Sequence, residues 1–477
     1  MTKQLKQAIG KIPPNGNPVV AHRYGADPYA LVFGGRVYLY MTHDALEYDE
    51  TGGVKENTYS HINKISVISS GDLANWTDHG EIAVAGPEGA AKWATQSWAP
   101  AAVHKVIGGK DKFFLYFANN ASGIGVLSGD SPVGPWTDPI GEALILRSTP
   151  GVEDVTWLFD PAVLVDDDGQ GYIYFGGGVP EGEYAEPGTA RVMKLGEDMT
   201  SVTGTAEVIP APFMFEDAGI HKREGIYYYT YCSNFYDGER PAGSPPAGEI
   251  AYMTSDKPLG PWSYIGTMLK NPGHFFGVGG NNHHAIFQFD EVWYIAYHAQ
   301  TLSKAQGIAN GYRSTHLNRL HHNGDGSMEE VQADYAGVEQ TRYFDPYSLI
   351  PAATSGWSAG VKAEPGGAEG ERILADITNG GWVGLSGVDF GSKGAAAFSA
   401  SVISLEGGGM IGLHLDGPAG PLIGELYIPA AHGLERQLEL RTGVSGAEGV
   451  HDLYLVFNGE NNIPLFKLAA WRFIRED

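Results

Sequence analysis

The residue types best suited to catalysis in this chain are three carboxylic acids that recur at one position of an internal repeat. The five copies of the repeat begin Ala26-Asp27-Pro28, Trp98-Ala99-Pro100, Phe159-Asp160-Pro161, Phe215-Glu216-Asp217 and Asn281-Asn282-His283. In this register the shared position holds, in chain order, Asp27, Ala99, Asp160, Glu216 and Asn282. Hydrolysis of a glycosidic bond needs one carboxyl group to protonate the leaving oxygen and a second to act as base or nucleophile. Three acids meeting in one pocket would satisfy that need, and the longer Glu216 is the natural proton donor.

Each acid taken alone has a plain structural explanation. Asp-Pro is a common turn dipeptide, so Asp27 or Asp160 by itself is more often structural than catalytic. Glu216, beside Asp217, is also unremarkable on its own. Their coincidence at one repeat position changes this balance, because inward-facing carboxylates repel one another and are unfavourable without a function.

The repeat itself predicts the element that positions these acids. Each copy continues through apolar residues and a turn into an aromatic-rich strand: GGRVYLYMTH, KDKFFLYFAN, GQGYIYFGGG, EGIYYYTYCS and DEVWYIAYHA. Repeats of this size made of short strands are typical of a β-propeller with one blade per copy, and equivalent blade positions converge on the central axis. Turns containing Trp76, Trp136 and Trp262 mark the outer strands, and these tryptophans are expected to pack between blades. We therefore predict a five-bladed β-propeller catalytic domain over residues 1–345.

A second domain is predicted where the repeat stops, after Tyr343-Phe344-Asp345. From there the sequence carries new alternating runs, including VGLSGVDFG, AAFSASVISL, MIGLHLDG and HDLYLVFN. Short strands at this spacing, separated by Gly and Pro turns, predict a β-sandwich (jelly-roll) over 346–477. The predicted fold class is thus all-β, and the best helical candidate is a short run from Lys3 to Ala8.

Three further residues are weaker site candidates. His283 follows the shared position of the fifth copy, so it is expected near the axis, either at a central cation or as a buried, hydrogen-bonded histidine. Trp98 directly precedes the shared position and is a candidate sugar-stacking platform, with apolar core as the alternative. Arg313 follows the fifth aromatic strand and could reach a sugar hydroxyl or a carboxylate of the site. Asp166-Asp167-Asp168-Gly169 resembles a calcium loop, but its place between two strands favours a hairpin turn.

Composition excludes several classes of partner. The formal net charge is −25, so nucleic acid and anionic membrane are not expected to bind, since both require basic clusters. The chain has one cysteine, Cys232, which rules out an internal disulfide and is expected to be a buried small apolar residue. The N-terminal sequence shows no apolar signal-peptide core and no stretch is long enough to span a membrane, so a cytoplasmic protein is expected.

At the residues above, the chain resembles glycoside hydrolase family 43, and within it the bacterial arabinoxylan arabinofuranohydrolases. The segments that carry the resemblance are NPVVAHRYGADPYALVFGGRVYLYMTHD, AKWATQSWAPAAV, TWLFDPAVLVDDDGQGYIYFGGGVP, APFMFEDAGIHK, GGNNHHAIF and GYRSTHLN. The resemblance implies a five-bladed propeller and an inverting mechanism. It places Asp27 on the general base, Asp160 on the residue that modulates the pKa of the acid and orients it, and Glu216 on the general acid. It places His283 on a histidine near a central, structural calcium ion, and it implies no organic cofactor.

The C-terminal region resembles carbohydrate-binding module family 6, through WVGLSGVDFG, LDGPAGPLIGELYIP, VSGAEGVHDLYLVF and LFKLAAWRF. The departures from that family matter more than the match. Leu385 and Gln437 stand where the family has stacking aromatics, and Lys467 stands where it has an asparagine. The family's calcium-site acids are also replaced, the last of them by Ala469. The resemblance therefore implies a domain that serves as a structural partner and has lost its usual sugar cleft.

Together these observations predict an intracellular α-L-arabinofuranosidase that removes arabinose side groups from arabinoxylan-derived oligosaccharides by inversion. An exo-β-1,4-xylosidase, or an enzyme with both activities, is the alternative within the class, because a pentose pocket can admit either sugar. A propeller that binds sugar without catalysis is the alternative from another class, and the three acids argue against it.

Overall fold

The computed structural model describes residues 5–308, 310–367, 372–431 and 433–475, and almost all of its regular structure is β. Helix in the described residues is limited to α1 (Pro272–Phe276) and α2 (Thr301–Gln306). The predicted N-terminal helical run is wrong for residues 5–8, which are not helical, and Lys3 lies outside the described residues. Within the described residues, neither helix is long and apolar enough to cross a membrane.

Five antiparallel sheets form the blades of the predicted propeller. Blade 1 contains β1 (Ala26–Phe33), β2 (Arg36–Thr42), β3 (Lys64–Ser70) and β4 (Trp76–Ala83). Blade 2 contains β5 (Trp98–Ile107), β6 (Lys110–Ala118), β7 (Ile124–Gly129) and β8 (Trp136–Thr137). Blade 3 contains β9 (Ala162–Val165), β10 (Gly171–Phe175), β11 (Ala190–Leu195) and β12 (Val202–Ile209). Blade 4 contains β13 (Met214–Arg223), β14 (Ile226–Ser233), β15 (Ile250–Ser255) and β16 (Ser263–Leu269). Blade 5 has three strands, β17 (His284–Phe289), β18 (Val292–Ala299) and β19 (Ser314–Arg319).

The aromatic second strand of each blade is largely buried and contributes large rings to the propeller core. In β14 every residue after Ile226 is buried, including the free thiol of Cys232. Tyr174 of blade 3 and Tyr229 of blade 4 stack with ring centroids 6.1 Å apart, and Trp262 contacts both rings. Such aromatic pairs add to the stability gained from apolar burial. The prediction that Trp262 packs between blades is thus confirmed.

The C-terminal region forms the predicted β-sandwich. One sheet contains β23 (Lys362–Pro365), β24 (Arg372–Ala375), β31 (Phe466–Ile474), β26 (Ala397–Ser404) and β29 (Arg436–Gly443), with β20 (Ile350–Pro351) pairing to β31. The other contains β22 (Trp357–Ala359), β25 (Trp382–Asp389), β30 (Val450–Asn458), β27 (Gly409–Leu415) and β28 (Leu422–Ile428). The remaining short strand, β21 (Thr354–Ser355), pairs with Trp76 and Thr77 at the start of β4. Trp471 and Leu385 both lie in the core between the two sheets, so neither is a surface platform for sugar.

The chain divides into two compact units, and these are not separated by the single boundary at residue 345 that the sequence predicts. One unit comprises Tyr24–Val67 and Glu81–Gly337, and the other comprises Met1–Arg23, Ile68–Gly80 and Val338–Asp477. Long-range polar contacts explain this grouping, and the sequence gives no local sign of them. Asn75 Nδ2 donates to the backbone oxygen of Ser386 at 2.9 Å, and Trp382 Nε1 donates to the backbone oxygen of Lys6 at 2.8 Å.

The acidic loop from Asp166 to Gly169 is a hairpin turn, as predicted, and a second acidic loop at Asn323 also forms a turn. The backbone N–H of Asp166 donates to the oxygen of Gln170 at 2.9 Å, which closes the turn between β9 and β10. The Asp166 carboxylate accepts the backbone N–H of Asp167 at 2.9 Å and also pairs with Lys222. Asn323 closes its turn in the same way, by donating to the oxygen of Ser327 at 2.8 Å.

Candidate active site

A pocket with a cavity volume of about 470 Å³ brings together every candidate residue from the sequence. It lies within the unit formed by Tyr24–Val67 and Glu81–Gly337. The candidates that line it are Asp27, Trp98, Asp160, Glu216, His283 and Arg313. The acids, far apart in the chain, therefore converge as the repeat predicts.

Asp27 enters the pocket from a bulge at the start of β1. The pairing of β1 with β2 shifts register between Ala26 and Tyr29, and Asp27 within the bulge has a φ of 47°. Bulges re-aim a side chain out of the ladder, and Asp tolerates left-handed backbone better than most residues. Ala99 (φ 40°) and Asp160 (φ 48°) repeat the conformation in blades 2 and 3. The X-Pro dipeptide of the repeat thus marks a recurring left-handed residue.

The fourth blade shows that the register inferred from the sequence is wrong by one residue there. In blade 1 the ladder pair made by Ala26 is followed by left-handed Asp27. In blade 4 the ladder pair made by Glu216 is followed by Asp217, whose φ is 68°. Asp217 is therefore the structural equivalent of Asp27. The copy lacks the proline that marks the position elsewhere, because Ala218 follows Asp217, and two adjacent acids left the register ambiguous.

Glu216 lines the pocket even though it stands one residue ahead of the repeated position. The backbone N–H of Asn282 donates to its Oε1 at 3.3 Å. Asn282 was expected to share the repeated position, but it is fully buried, and its Nδ2 donates to the oxygen of Gly248 at 3.1 Å. It therefore supports the pocket wall from behind.

Asp27 is held in its ionised form. Burial alone would raise the pKa of Asp27, but the Arg313 guanidinium holds it well below its usual range. Arg313 Nη1 donates to Asp27 Oδ1 at 2.8 Å, and the backbone N–H of Asp27 donates to His298 Nδ1 at 3.1 Å. The carboxylate is thus fixed in place and ready to accept a proton.

Arg313 is itself anchored by a residue that the sequence analysis did not identify. Its Nε and Nη2 donate to the two carboxylate oxygens of Asp44 at 2.9 and 2.8 Å, and its backbone N–H donates to Asp44 as well. The guanidinium carbon lies 4.9 Å from the centre of the Tyr59 ring. This bidentate contact leaves Nη1 free to donate to Asp27. Arg313 was expected to reach either a sugar hydroxyl or a carboxylate of the site, and the structure shows the contact with a carboxylate.

Asp160 and Glu216 have the opposite electrostatic environment. Burial raises the pKa of Glu216 well above its usual value, and the nearby Asp160, Asp27 and Asp217 raise it further. Burial also raises the pKa of Asp160, although the backbone N–H of Asp217 donates to its Oδ2 at 2.8 Å and opposes the shift. Glu216 consequently keeps its proton to higher pH than an ordinary glutamate does. A protonated acid and an ionised base in one pocket are the two groups that acid-base hydrolysis requires.

His283 lies among the carboxylates as a neutral imidazole. Burial lowers the pKa of His283 to about 3, although the charge of Asp27 opposes that shift. Its Nδ1 lies 3.5 Å from Asp27 Oδ1 and 3.9 Å from Asp160 Oδ2, and its Nε2 lies 3.1 Å from Asp217 Oδ1. In the described part of the chain no group of three or more His, Cys, Asp or Glu side chains could hold a metal ion directly.

Aromatic side chains form much of the remaining pocket wall. Trp98 Nε1 donates to the backbone oxygen of Tyr59 at 3.1 Å, which fixes the indole as part of the wall. Three more rings that the sequence analysis did not single out also line the pocket: Trp157, Phe159 and Phe215. Trp157 contacts both phenylalanines edge-on, with centroids 5.3 and 5.2 Å away. The TWLFD segment, which ends at Asp160, was the available signal for Trp157 and Phe159, and FMFED around Glu216 was the signal for Phe215.

Comparisons with known proteins agree with this chemistry. Residues 15–328 match the family model Glycosyl hydrolases family 43, and residues 351–475 match Carbohydrate binding module (family 6). An arabinoxylan arabinofuranohydrolase from Paenibacillus polymyxa is 53% identical over 480 residues, which cover 98% of this chain and 75% of that protein.

Two solved structures add to these matches. The family 43 arabinoxylan arabinofuranohydrolase of Bacillus subtilis, in complex with cellotetraose, has a TM-score of 0.96 at 52% identity and covers 98% of this chain and 99% of that one. A family 43 β-xylosidase/α-arabinofuranosidase from a compost metagenome, in complex with xylotriose and in a calcium-free form, has a TM-score of 0.51 at 29% identity. That match covers 66% of this chain and 96% of the other.

Proposed function

This chain belongs to glycosyl hydrolases family 43. We propose that it releases α-L-arabinofuranosyl side groups from arabinoxylan or arabinoxylan-derived oligosaccharides, and that the configuration at the anomeric carbon is inverted. The observation that carries the proposal is the opposite shift of two carboxyl groups in one pocket. Burial would raise the pKa of Asp27, but the charge of Arg313 outweighs that effect and lowers it. Burial and the neighbouring negative charges both raise the pKa of Glu216. A pair of carboxyl groups with separated pKa values identifies the base and the acid.

The proposed reaction requires one proton transfer to the glycosidic oxygen and one proton transfer from the attacking water. Glu216 donates its proton to the glycosidic oxygen as the bond to the arabinose anomeric carbon breaks. Asp27 takes a proton from the water that attacks that carbon on the opposite face. Asp160 keeps the pKa of Glu216 high and holds the backbone N–H of Asp217, which follows the acid. Inversion at the anomeric carbon gives β-L-arabinofuranose from an α-linked substrate.

The sugar specificity rests on the similarity to arabinoxylan arabinofuranohydrolases over nearly the whole chain. A second candidate is β-xylosidase activity, because the metagenomic relative is described as both a β-xylosidase and an α-arabinofuranosidase. Its similarity covers a smaller share of this chain at lower identity, so arabinose release is favoured. A binding propeller without catalysis is disfavoured, since it has no need of a protonated acid opposite an ionised base.

We propose that the sandwich supports the enzyme without binding sugar in the usual cleft. Leu385 is fully buried in the core, and Lys467 pairs with Glu435 at 3.4 Å. Gln437 is an exposed amide in β29. These three positions offer no aromatic face on which a pyranose ring could stack.

We also propose that calcium, if it binds, is held mainly through water near the propeller axis. Calcium prefers oxygen ligands, and Asn282 Oδ1 is buried and lacks a hydrogen-bond partner among the described residues. Asn282 and the neighbouring His283 would then contact waters of the hydrated ion. When bound, the ion would add positive charge near the pocket and order its floor.

Product analysis tests the proposed function directly. The protein is incubated with arabinoxylan oligosaccharides, and the first sugar released is identified by chromatography and its anomer by proton NMR. We expect β-L-arabinofuranose. Release of xylose would select the second candidate, and the retained α-anomer would rule out inversion.

A further inference from the structure

Asp217 contacts more parts of the active site than the mechanism above uses. Its side chain is fully buried. It is bonded to Glu216 through the chain, and its backbone N–H donates to Asp160 Oδ2 at 2.8 Å. Its carboxyl group contacts two histidines, His283 and His284. Asp217 therefore adjoins Glu216 in the chain and contacts both Asp160 and His283.

The carboxyl group of Asp217 joins His283 and His284. Oδ1 lies 3.1 Å from His283 Nε2 and accepts the backbone N–H of His284 at 3.1 Å. Oδ2 contacts His284 Nδ1 directly. His284 is neutral, since burial lowers its pKa to about 3. These contacts hold the His283 ring between Asp217 on one side and Asp27 and Asp160 on the other.

A hydroxyl behind His284 completes the arrangement. Thr230 Oγ1 lies 2.8 Å from His284 Nε2, so both ring nitrogens of His284 have a partner. Gly219 leaves room for this pair, because a Cβ there would come within 2.3 Å of Thr230 Oγ1. The chain of contacts runs from Thr230 through His284 and Asp217 to the pocket.

The backbone of Asp217 is in a conformation that needs support. Its φ of 68° is left-handed, and such residues persist where the surroundings fix them. Contacts on both the side chain and the N–H provide that support. They also fix the direction in which the preceding residue, Glu216, leaves the strand.

We propose that Asp217 is a positioning residue, which aligns Glu216, Asp160 and the His283 ring through the Thr230–His284–Asp217 chain. This inference rests on the proposed glycosidase function. A positioning role and a purely structural role for Asp217 predict different effects of its substitution on kcat. Loss of alignment slows the chemical step, whereas binding of the sugar by the rest of the pocket is preserved.

The test compares Asp217→Asn with wild type, using the full chain and the sugar that the wild type releases. Asn keeps the size, the backbone N–H and tolerance of left-handed φ, but it presents an NH2 group to the histidines. We expect kcat to fall about 100-fold or more with KM within about threefold, since small misplacements of reacting groups have effects of that size. The loss should be larger with a sugar leaving group than with an activated aryl group, because alignment of the acid matters more there.

Asp78→Asn is the matched control. Asp78 is also a fully buried carboxylate, paired with His22 and Arg23 at 2.7 Å each, but it does not line the pocket. We expect Asp78→Asn to lower the melting temperature and to leave kcat within about twofold of wild type. If Asp217→Asn behaves in the same way, with lower stability and normal kcat, Asp217 is structural and the proposal is overturned.

Thr230→Val decides the question if Asp217→Asn does not fold. Val preserves the shape of Thr and removes the hydroxyl behind His284. A fall in kcat of about tenfold at unchanged KM supports the proposal, and a wild-type kcat overturns it. Release of xylose by the wild type would change the proposed substrate and leave this comparison valid. A wild type inactive on both pentosides would defeat the proposed function itself.

Discussion

Arg313 Nη1 donates a hydrogen bond to Asp27 Oδ1 over 2.8 Å, while the rest of the guanidinium is bound by Asp44. This contact is the main influence that lowers the pKa of Asp27 against the effect of burial. A base must be deprotonated to act, so the contact extends activity to low pH.

Replacement of Arg313 by Gln should therefore move the acid limb of the pH–rate profile toward neutral pH. Removing the cation raises the pKa of Asp27, and a larger fraction of the base is protonated in mildly acidic buffer. The measurement is kcat/KM against pH. Arg313→Lys keeps a positive charge and should shift the limb less. An acid limb at its wild-type position in Arg313→Gln would show that Asp27 is not the base.

Replacement of Glu216 by Gln should impair substrates with poor leaving groups most. A natural xylose leaving group needs a proton from the acid, whereas an activated aryl group leaves with little help. We expect a loss of about 10²–10⁴-fold on arabinoxylan oligosaccharides and a clearly smaller loss on nitrophenyl arabinofuranoside. Equal losses on both substrates would argue against the acid role.

Replacement of Asp160 by Asn should move the alkaline limb of the profile toward acid. Burial is the largest cause of the raised pKa of Glu216, and the charge of Asp160 is the next. Without that charge Glu216 loses its proton at lower pH, so activity declines earlier as pH rises. A variant with full activity and an unchanged alkaline limb would remove Asp160 from the site.

The Asp-Pro pattern was enough to predict the part of the site that the repeat controls. Asp27 and Asp160 are both left-handed residues directly before a proline, and the dipeptide marks that conformation in the sequence. The same pattern failed in the fourth copy, where Ala218 replaces the proline. The sequence therefore placed Glu216 in the pocket but assigned it the repeat position that Asp217 occupies.

Residues that act through long-range contacts could not be predicted in the same way. Asp44 lies 269 residues before Arg313, and His298 lies 271 residues after Asp27. His298 lies in the fifth aromatic strand and Asp44 directly follows the first, but neither pattern shows which distant residue it will meet. Only the folded structure brings these partners together. The grouping of Ile68–Gly80 with the sandwich has the same origin, because it depends on contacts such as Asn75 with Ser386.

Prolonged chelation should have a modest effect if calcium is bound near His283. We expect a small fall in both melting temperature and rate, with recovery when calcium is restored, because the ion would act through waters and not on the substrate directly. Magnesium added at the same concentration is the control for ionic strength. If neither quantity changes on chelation, His283 is a buried histidine that serves the carboxylates alone.

Sugar binding outside the pocket should be undetectable. The inactive full-length Asp27→Asn variant can be run by affinity electrophoresis in gels that contain xylan. Any retardation should disappear when Trp98 in the pocket is also replaced by Ala, because Leu385, Gln437 and Lys467 offer no platform on the sandwich. Retardation that survives the second substitution would reveal a binding face on another surface.

The division of the chain into units has a consequence for module exchange. Since the unit that contains the sandwich also takes Met1–Arg23 and Ile68–Gly80, the chain passes between the units several times. A fusion or recombination at one junction near residue 345 would transfer the sandwich without two of its three segments. Asn75 and Lys6 would then be separated from Ser386 and Trp382. Transplanting this module into another enzyme therefore requires three grafts, whereas a module joined by a linker needs one.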